Sequence, residues 1–556
     1  MTRQLSIYVK NLSEYIEIPR GETLGEIGRR LAGRLGFEPV CALVNNKNED
    51  LWFELYHPKQ VEFQPLTTAS ATRVYTRSLC MLLYRAVARC YPGARLRIEH
   101  TISGGYYCRL DGAGTVGEST AETLTAEMND LIARDLPFEP HECLTADAIE
   151  IFRSQGLDDK VELLETTREL YTRYYSLDGI CDSYYGPLVQ STRWLSVFAL
   201  RPYHEGLLLL GFDRSNPSEV SHEVRQEKMF KAFVDYLRFN SIVGVRNVGE
   251  LNRMVEHGMA SQLISLAEAL HEKIIAGISD DIARRYRDGG ARVVLVAGPS
   301  SSGKTTTTKR LAIQLMTNLL KPQIISLDNY FINREDTPRD EDGDYDYESL
   351  YALDLKQFND DLNAIIAGEE VELPTYNFEL GCRQYKGDMI HLDEGSVLLI
   401  EGIHGLNPEL TAAIAENMKY RVYVSALTTL SIDDHNWIPT SDNRLLRRII
   451  RDARYRGTSP EESIRRWPSV RRGEEKWIFP FQENADATFN SSLLFELGVM
   501  KEYAEALLKT VPNDVPEYAE AYRLRKFLSY FAAIGDANIP PTSLLREFLG
   551  GSSFKY

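Results

Sequence analysis

Apolar residues along this chain change their spacing in ways that mark its elements. Leu5, Ile7 and Val9 alternate with polar neighbours, which predicts a half-buried strand. After a turn at Glu17–Thr23 that supplies a capping residue, Leu24, Ile27, Leu31 and Leu35 recur at helical spacing and predict an amphipathic helix. Apolar runs at Cys41–Val44, Leu51–Leu55 and Val61–Phe63 predict further short strands, so residues 1–65 read as a strand-rich unit wrapped on one helix. Leu79 to Val87 reads as a buried helix. Leu251, Met254, Val255, Met259, Leu263, Leu266, Leu270 and Ile274 keep helical spacing across 241–290, which reads as one or two helices that link and pack, stopped by Asp288-Gly289-Gly290. A last helical region begins with Leu493, Leu494, Leu497, Val499 and Met500 and closes in a short terminal helix, with no visible chemistry.

The run Val293-Val294-Leu295-Val296-Ala297 is different, because apolar and largely β-branched residues without alternation predict a strand buried on both faces. It leads into Gly298-Pro299-Ser300-Ser301-Ser302-Gly303-Lys304-Thr305, then a helix from Thr306 to Leu320. This is a phosphate-binding loop. Gly298 and Gly303 permit backbone angles that turn amides inward, Lys304 reaches the outer phosphates, and the Thr305 hydroxyl can hold Mg²⁺. The loop from Gly298 through Ser300, Ser301 and Ser302, with Thr306 at the helix start, is therefore the expected ATP site, favoured also by the helix dipole.

Two more strand ends carry acids. Gln323 to Leu327 delivers Asp328, and the apolar run Val397–Ile400 ends in Glu401. Phosphoryl transfer needs one group to orient or deprotonate the acceptor hydroxyl and another to help hold Mg²⁺, and strand C-termini are where ligands sit in open α/β sheets. Asp328 is the expected base, and Thr305 with Glu401 the expected metal ligands. Arg444, Arg447, Arg448 and Arg451 lie three or four apart and predict cations along one side of a helix.

The bulk numbers narrow the class. In 556 residues, 63 Lys and Arg face 80 Asp and Glu for a net charge of −17, against a general nucleic-acid coat. Seven scattered Cys with no Cys-x-x-Cys pair indicate neither a disulfide framework nor a zinc ribbon. Met1 to Val9 lacks the apolar core of a signal peptide and Leu207–Leu210 is too short to cross a bilayer, so a cytoplasmic protein without membrane partners is expected.

Two resemblances add to this. The order of elements in 1–65 is similar to the TGS domain, a ubiquitin-like module at the start of threonyl-tRNA synthetases. From 66 to 240, Ile102-Ser103-Gly104-Gly105-Tyr106-Tyr107-Cys108 resembles the Gly-Phe-Tyr-Tyr strand of the synthetase editing domain. Asp147–Phe152 with Lys160–Leu163 resembles its next helix and strand, and Asp178–Pro187 its Asp-x-Cys-x-Gly-Pro segment. The family's metal-binding His-x-x-x-His is missing, since Arg73-Val74-Tyr75-Thr76-Arg77 stands there, and so is its His after the last Pro, since Leu188 follows Pro187, leaving Cys181 isolated. Editing hydrolysis is not expected.

Residues 291–500 resemble the uridine kinase and phosphoribulokinase family of P-loop kinases. Asp328-Asn329-Tyr330-Phe331 matches its Asp-x-(Phe/Tyr)-Tyr, and Ile400-Glu401-Gly402-Ile403 its Phe-Glu-Gly-Ile. Asp344 to Asp354 echoes the segment that places Asp346 at the ribose. Pro374-Thr375-Tyr376-Asn377-Phe378 matches its hairpin, with Arg383 at a later Arg, and Ser441 to Asp452 matches its lid helix. The resemblance implies substrate contacts from Asp346, Tyr376 and Arg383, and lid roles for Arg444 and Arg447. Gly381 stands where the family's base-reading His belongs, which opens the choice of acceptor. The remaining acidic residues of Glu335–Glu348 read as a mobile loop.

The expected fold is α/β: a P-loop kinase with a mostly parallel sheet (291–500), preceded by a β-grasp TGS-like domain (1–65), an α+β synthetase editing-like domain (66–240) and a helical linker (241–290), and followed by a helical extension (501–556). The expected function is ATP- and Mg²⁺-dependent phosphorylation of a ribonucleoside, uridine- or cytidine-like, at its 5′-hydroxyl, by a homo-oligomer. The alternatives are a kinase of another small alcohol and, from a different class, an RNA-binding regulator that contacts RNA through its N-terminal domains and uses the loop as a nucleotide switch.

Overall fold

Every residue of Val293–Ala297 is buried, because this strand lies in the middle of a five-stranded sheet that is parallel throughout. The order across the sheet is Lys321–Ser326, Ser396–Glu401, Val293–Ala297, Lys419–Ser425 and Ala487–Asn490. Helices cover both faces, which is why these strands read as unbroken apolar runs. The structure is a computed structural model, and it describes residues 4–341, 343–377 and 379–555. Met1 to Arg3, Asp342 of the acidic segment and Phe378 of the hairpin motif lie outside the described residues.

The front of the chain follows the expected α+β order with specific differences. A five-stranded sheet packs on the helix Leu24–Leu35, whose N-cap Thr23 forms a capping box with Glu26. Glu14–Pro19 is a strand paired with Gln4–Val9, occupying part of the expected turn. Leu51–Leu55 is not a strand. Its carbonyls accept from the amides of Gly21, Leu24 and Gly25 at the start of the helix, so this backbone closes the helix entrance and joins no ladder beyond one bridge at Glu54. Ile102–Cys108 is not one strand but the tip of a hairpin between Arg95–Ile102 and Gly105–Asp111, turned by left-handed angles at Ser103 and Gly104. Lys160–Leu163 lies in the helix Asp158–Thr166, where Val161, Leu163 and Leu164 are buried at helical rather than alternating spacing.

The expected linker, 241–290, holds two helices, Val248–Glu256 and Ala260–Arg287, within the one or two expected; a further helix, Glu227–Val243, precedes them and ends at the linker's start, and the breaks fall at Gly244 and Gly258, both with left-handed backbone. Glu227–Val243 runs across residue 240. It buries Phe230 against Tyr107 and Tyr203 of the front half, and Tyr236 donates to the Asn490 carbonyl of the parallel sheet. Glu496–Leu508 likewise runs across residue 500.

The front half grips the hairpin Ser431–Trp437 of the back half. The buried Lys160 ammonium lies 2.8 Å from Asp182 and 2.9 Å from Asp433, and His435 bonds Asp182 at 2.8 Å. Tyr106 packs on Trp437. Arg77, 3% exposed, crowds Gly186 so closely that a Cβ there would lie 2.3 Å from its guanidinium, so a cation fills the place expected to lack the histidine ligands. No helix among the described residues is long and apolar enough to cross a membrane.

Candidate active site

Strand register brings the loop and both acids to one end of the sheet. Glu401 pairs with Val296 on one side and with Ser326 on the other. Gly298, two residues past Val296, and Asp328, two past Ser326, therefore emerge beside Glu401 at the C-terminal edge. Gly298 is required by space, since a Cβ would lie 2.0 Å from the Val424 carbonyl oxygen. Ser301 (φ 57°) and Gly303 (φ 84°) take left-handed angles, the backbone pattern that turns successive amides into an anion-binding nest. Lys304 opens the helix Lys304–Thr317, and its ammonium donates back to the Pro299 carbonyl at 3.2 Å, closing the loop on itself.

The Thr305 hydroxyl lies 3.2 Å from both carboxylate oxygens of Glu401. Burial pushes the Glu401 carboxyl up to about 7; Lys304 opposes this and Asp328 adds to it, which places all three charges near one another. A hydroxyl and two carboxylates are hard oxygen donors, the chemistry Mg²⁺ takes, and this ion uses one or two carboxylates with substrate phosphates rather than a complete protein cage. The residues fit that ion. Among the described residues there is no group of three or more His, Cys, Asp or Glu positioned to hold a metal.

The residues expected to meet the acceptor lie in the segment after Asp328. Asp346 accepts from the Glu348 amide at 3.2 Å, Tyr376 is buried against Phe331, and its amide donates to Asn329. Arg383 forms an ion pair with Asp354 at 2.8 Å, and Asp354 also caps the helix Leu355–Ile366. Gly381 has a left-handed backbone and its carbonyl accepts from the Arg334 amide, so this position turns the hairpin and offers no side chain to a base. Within the acidic segment, Asp340 accepts from the Ser469 hydroxyl and the amide of Asp344.

The arginines of Thr440–Tyr455 are divided between interior and site. Arg444 (1% exposed) makes a two-pronged pair with Glu474, 2.7 Å at one prong, and donates to the Ser300 carbonyl at 3.1 Å. Arg447 (0%) pairs with Glu496 at 3.1 Å through Nε and donates to the carbonyls of Ser301 and Ser491. Both brace the loop from inside the core, where the expectation had them closing over a triphosphate. Arg448 reaches the Ser300 hydroxyl at 3.0 Å, and Arg451 pairs with Asp452.

Several residues here carried no signal in the sequence. Glu474 accepts the Ser300 amide at 3.0 Å as well as Arg444, and Arg444 holds its carboxyl below the usual range against the upward push of burial. Glu348, read in the sequence only as part of the acidic loop, packs on Gly473, and burial with the neighbouring Glu474 pushes its carboxyl up to about 7 against the pull of Arg448 and Lys304. Glu547, far along the chain, reaches Thr306.

Comparison with known proteins follows the same division. Residues 293–493 match the model of the phosphoribulokinase / uridine kinase family. The chain is similar to the uridine kinase of Deinococcus deserti, 28% identical over 195 residues that cover 35% of this chain and 84% of that protein. It is similar also to the uridine kinase of Halobacterium salinarum, 27% identical over 34% of this chain and 76% of that protein. The threonine–tRNA ligase of Carboxydothermus hydrogenoformans is 29% identical over 189 residues, 34% of this chain. The chain spans only 30% of that ligase's length. One polypeptide thus joins a segment that matches the phosphoribulokinase / uridine kinase family to an N-terminal region similar to threonine–tRNA ligases.

Proposed function

We propose that this chain is an ATP-dependent kinase that phosphorylates the 5′-hydroxyl of a ribonucleoside of the uridine or cytidine kind. The observation that carries the reading is the convergence of the phosphate loop with Asp328 and Glu401 on neighbouring strand ends of one parallel sheet. Loop amides and Lys304 hold the donor phosphates; Thr305 and Glu401 hold Mg²⁺, which when bound offsets charge on the outer phosphates. Asp328 accepts the acceptor's hydroxyl proton as the acceptor oxygen bonds to the terminal phosphorus and the bond from that phosphorus to the bridging oxygen breaks, releasing ADP, and Asp346, Tyr376 and Arg383 position the sugar. Arg444 and Arg447 keep the loop in its receptive shape through their bonds to the carbonyls of Ser300 and Ser301.

Gly381 favours a second reading, a kinase of another small alcohol, because the base-reading side chain of the resembled family is missing. A panel of nucleosides and small alcohols assayed by ADP release separates the two. Uridine- or cytidine-dependent release supports the first; release with a non-nucleoside alone supports the second. ATP binding and copurifying RNA with no acceptor-dependent release would instead favour the nucleotide-switch regulator.

A further inference from the structure

The helix that opens at Lys304 has its own hydrogen-bond ladder only from Thr307, whose amide donates to Gly303. The amides of Lys304, Thr305 and Thr306 precede that ladder and are the donors a phosphate would take. One of them is already taken by an anion. The Thr306 amide donates to Glu547 Oε2 at 3.2 Å and the Thr306 hydroxyl to the same oxygen at 2.6 Å. Thr306 is 0% exposed and Glu547 9%.

Glu547 is held there by more than this pair. Its neighbours Leu544, Leu545 and Phe548 are fully buried, and Leu544 sits so close to Gly303 that a Cβ on the glycine would lie 2.5 Å away. Farther along, the Lys309 ammonium donates to the Lys555 carbonyl. Gly303, Thr306 and Lys309 are three apart and share one face of the helix, so the C-terminal segment lies along that face from the loop outward. In a phosphate loop the backbone donors cradle the inner phosphates while the lysine reaches the outer ones. Thr306, beyond Lys304 and Thr305, is at the inner, nucleoside-facing end of that series.

We propose that Glu547 occupies the inner-phosphate position of the donor site in the resting protein, and that a nucleoside triphosphate binds by displacing it. Glu547 is then a determinant of donor affinity and specificity: it opposes ligands that extend to Thr306 and spares those that fill only the outer positions. This rests on the phosphate-loop reading above.

The test is calorimetric titration of ATP and of pyrophosphate, each with Mg²⁺, into the full chain and into E547Q, with melting curves to establish that the variant is folded. Replacing one charge-assisted contact predicts that E547Q binds ATP about tenfold or more tightly, while pyrophosphate affinity changes by less than about threefold. E547D, which keeps the charge but is too short to reach both Thr306 donors, carries the test if E547Q fails to fold, and is expected to gain ATP affinity in the same direction. Unchanged or weaker ATP binding, or an equal gain for both ligands, overturns the proposal and leaves Glu547 as a structural helix cap. Lys304→Ala is the separate control: if it leaves ATP affinity intact, the phosphate-loop reading itself fails.

Discussion

The Thr305 hydroxyl, in the first turn of the helix that follows the phosphate loop, and the Glu401 carboxylate, at a strand end, face each other at 3.2 Å, and the carboxyl is pushed by burial up to about 7. Because a protonated carboxyl cannot ligate Mg²⁺, the metal must displace that proton below neutrality. Mg²⁺-dependent ATP binding is therefore expected to weaken about tenfold for each pH unit below 7 and to be flat above it. Titration of ATP binding against Mg²⁺ at several pH values checks this, and Glu401→Gln is expected to abolish the pH dependence together with most of the metal requirement.

Lys304 is the cation of the loop and spends its bond in the free protein on the Pro299 carbonyl. Lys304→Ala is expected to lower kcat/KM by about 10²–10³-fold, the scale of losing one preorganised charge donor, with melting temperature unchanged. Steady-state kinetics beside a melting curve separates the two effects.

Arg444 and Glu474 form a pair with essentially no exposure on either side chain. Arg444→Met leaves the buried Glu474 carboxylate with the Arg471 guanidinium, 3.1 Å away, as its remaining ion pair and is expected to cost about 3 kcal/mol, whereas the double variant Arg444→Met, Glu474→Gln recovers much of the loss. Denaturant unfolding of the two variants measures the difference, and loss of ATP binding in the single variant reports the loop's dependence on this brace.

Lys160 binds Asp182 of the front half and Asp433 of the back half in the same buried spot. Lys160→Met leaves two buried carboxylates facing each other and is expected to destabilise the chain by about 3–5 kcal/mol. Its signature is increased hydrogen exchange in the hairpin Ser431–Trp437 before the parallel sheet opens.

What could be read from the sequence follows from the range of the interactions involved. The buried strand Val293–Ala297, its loop, Asp328 and Glu401 are local patterns: an apolar run, then a residue type demanded by backbone geometry or chemistry. The arginine spacing correctly implies one helix side, yet Leu445, Leu446, Ile449 and Ile450 interleave with it and are buried, so spacing alone does not say which cations face inward. Glu474, Glu496 and Glu547 act on the loop from 174, 195 and 241 residues away, measured to their partners Ser300, Ser301 through Arg447, and Thr306, and no local pattern marks such acids. Leu51–Leu55 misleads for the same reason: its apolar run fits a strand, but the partners it meets are the first amides of a helix.

The most direct test of the account is nucleoside monophosphate formation from ATP and uridine or cytidine by the full chain and by Asp328→Asn. If Asp328 takes the acceptor's proton beside the loop, the variant keeps ATP affinity and loses about 10²–10⁴-fold in kcat. Turnover of Asp328→Asn at the wild-type rate would contradict it.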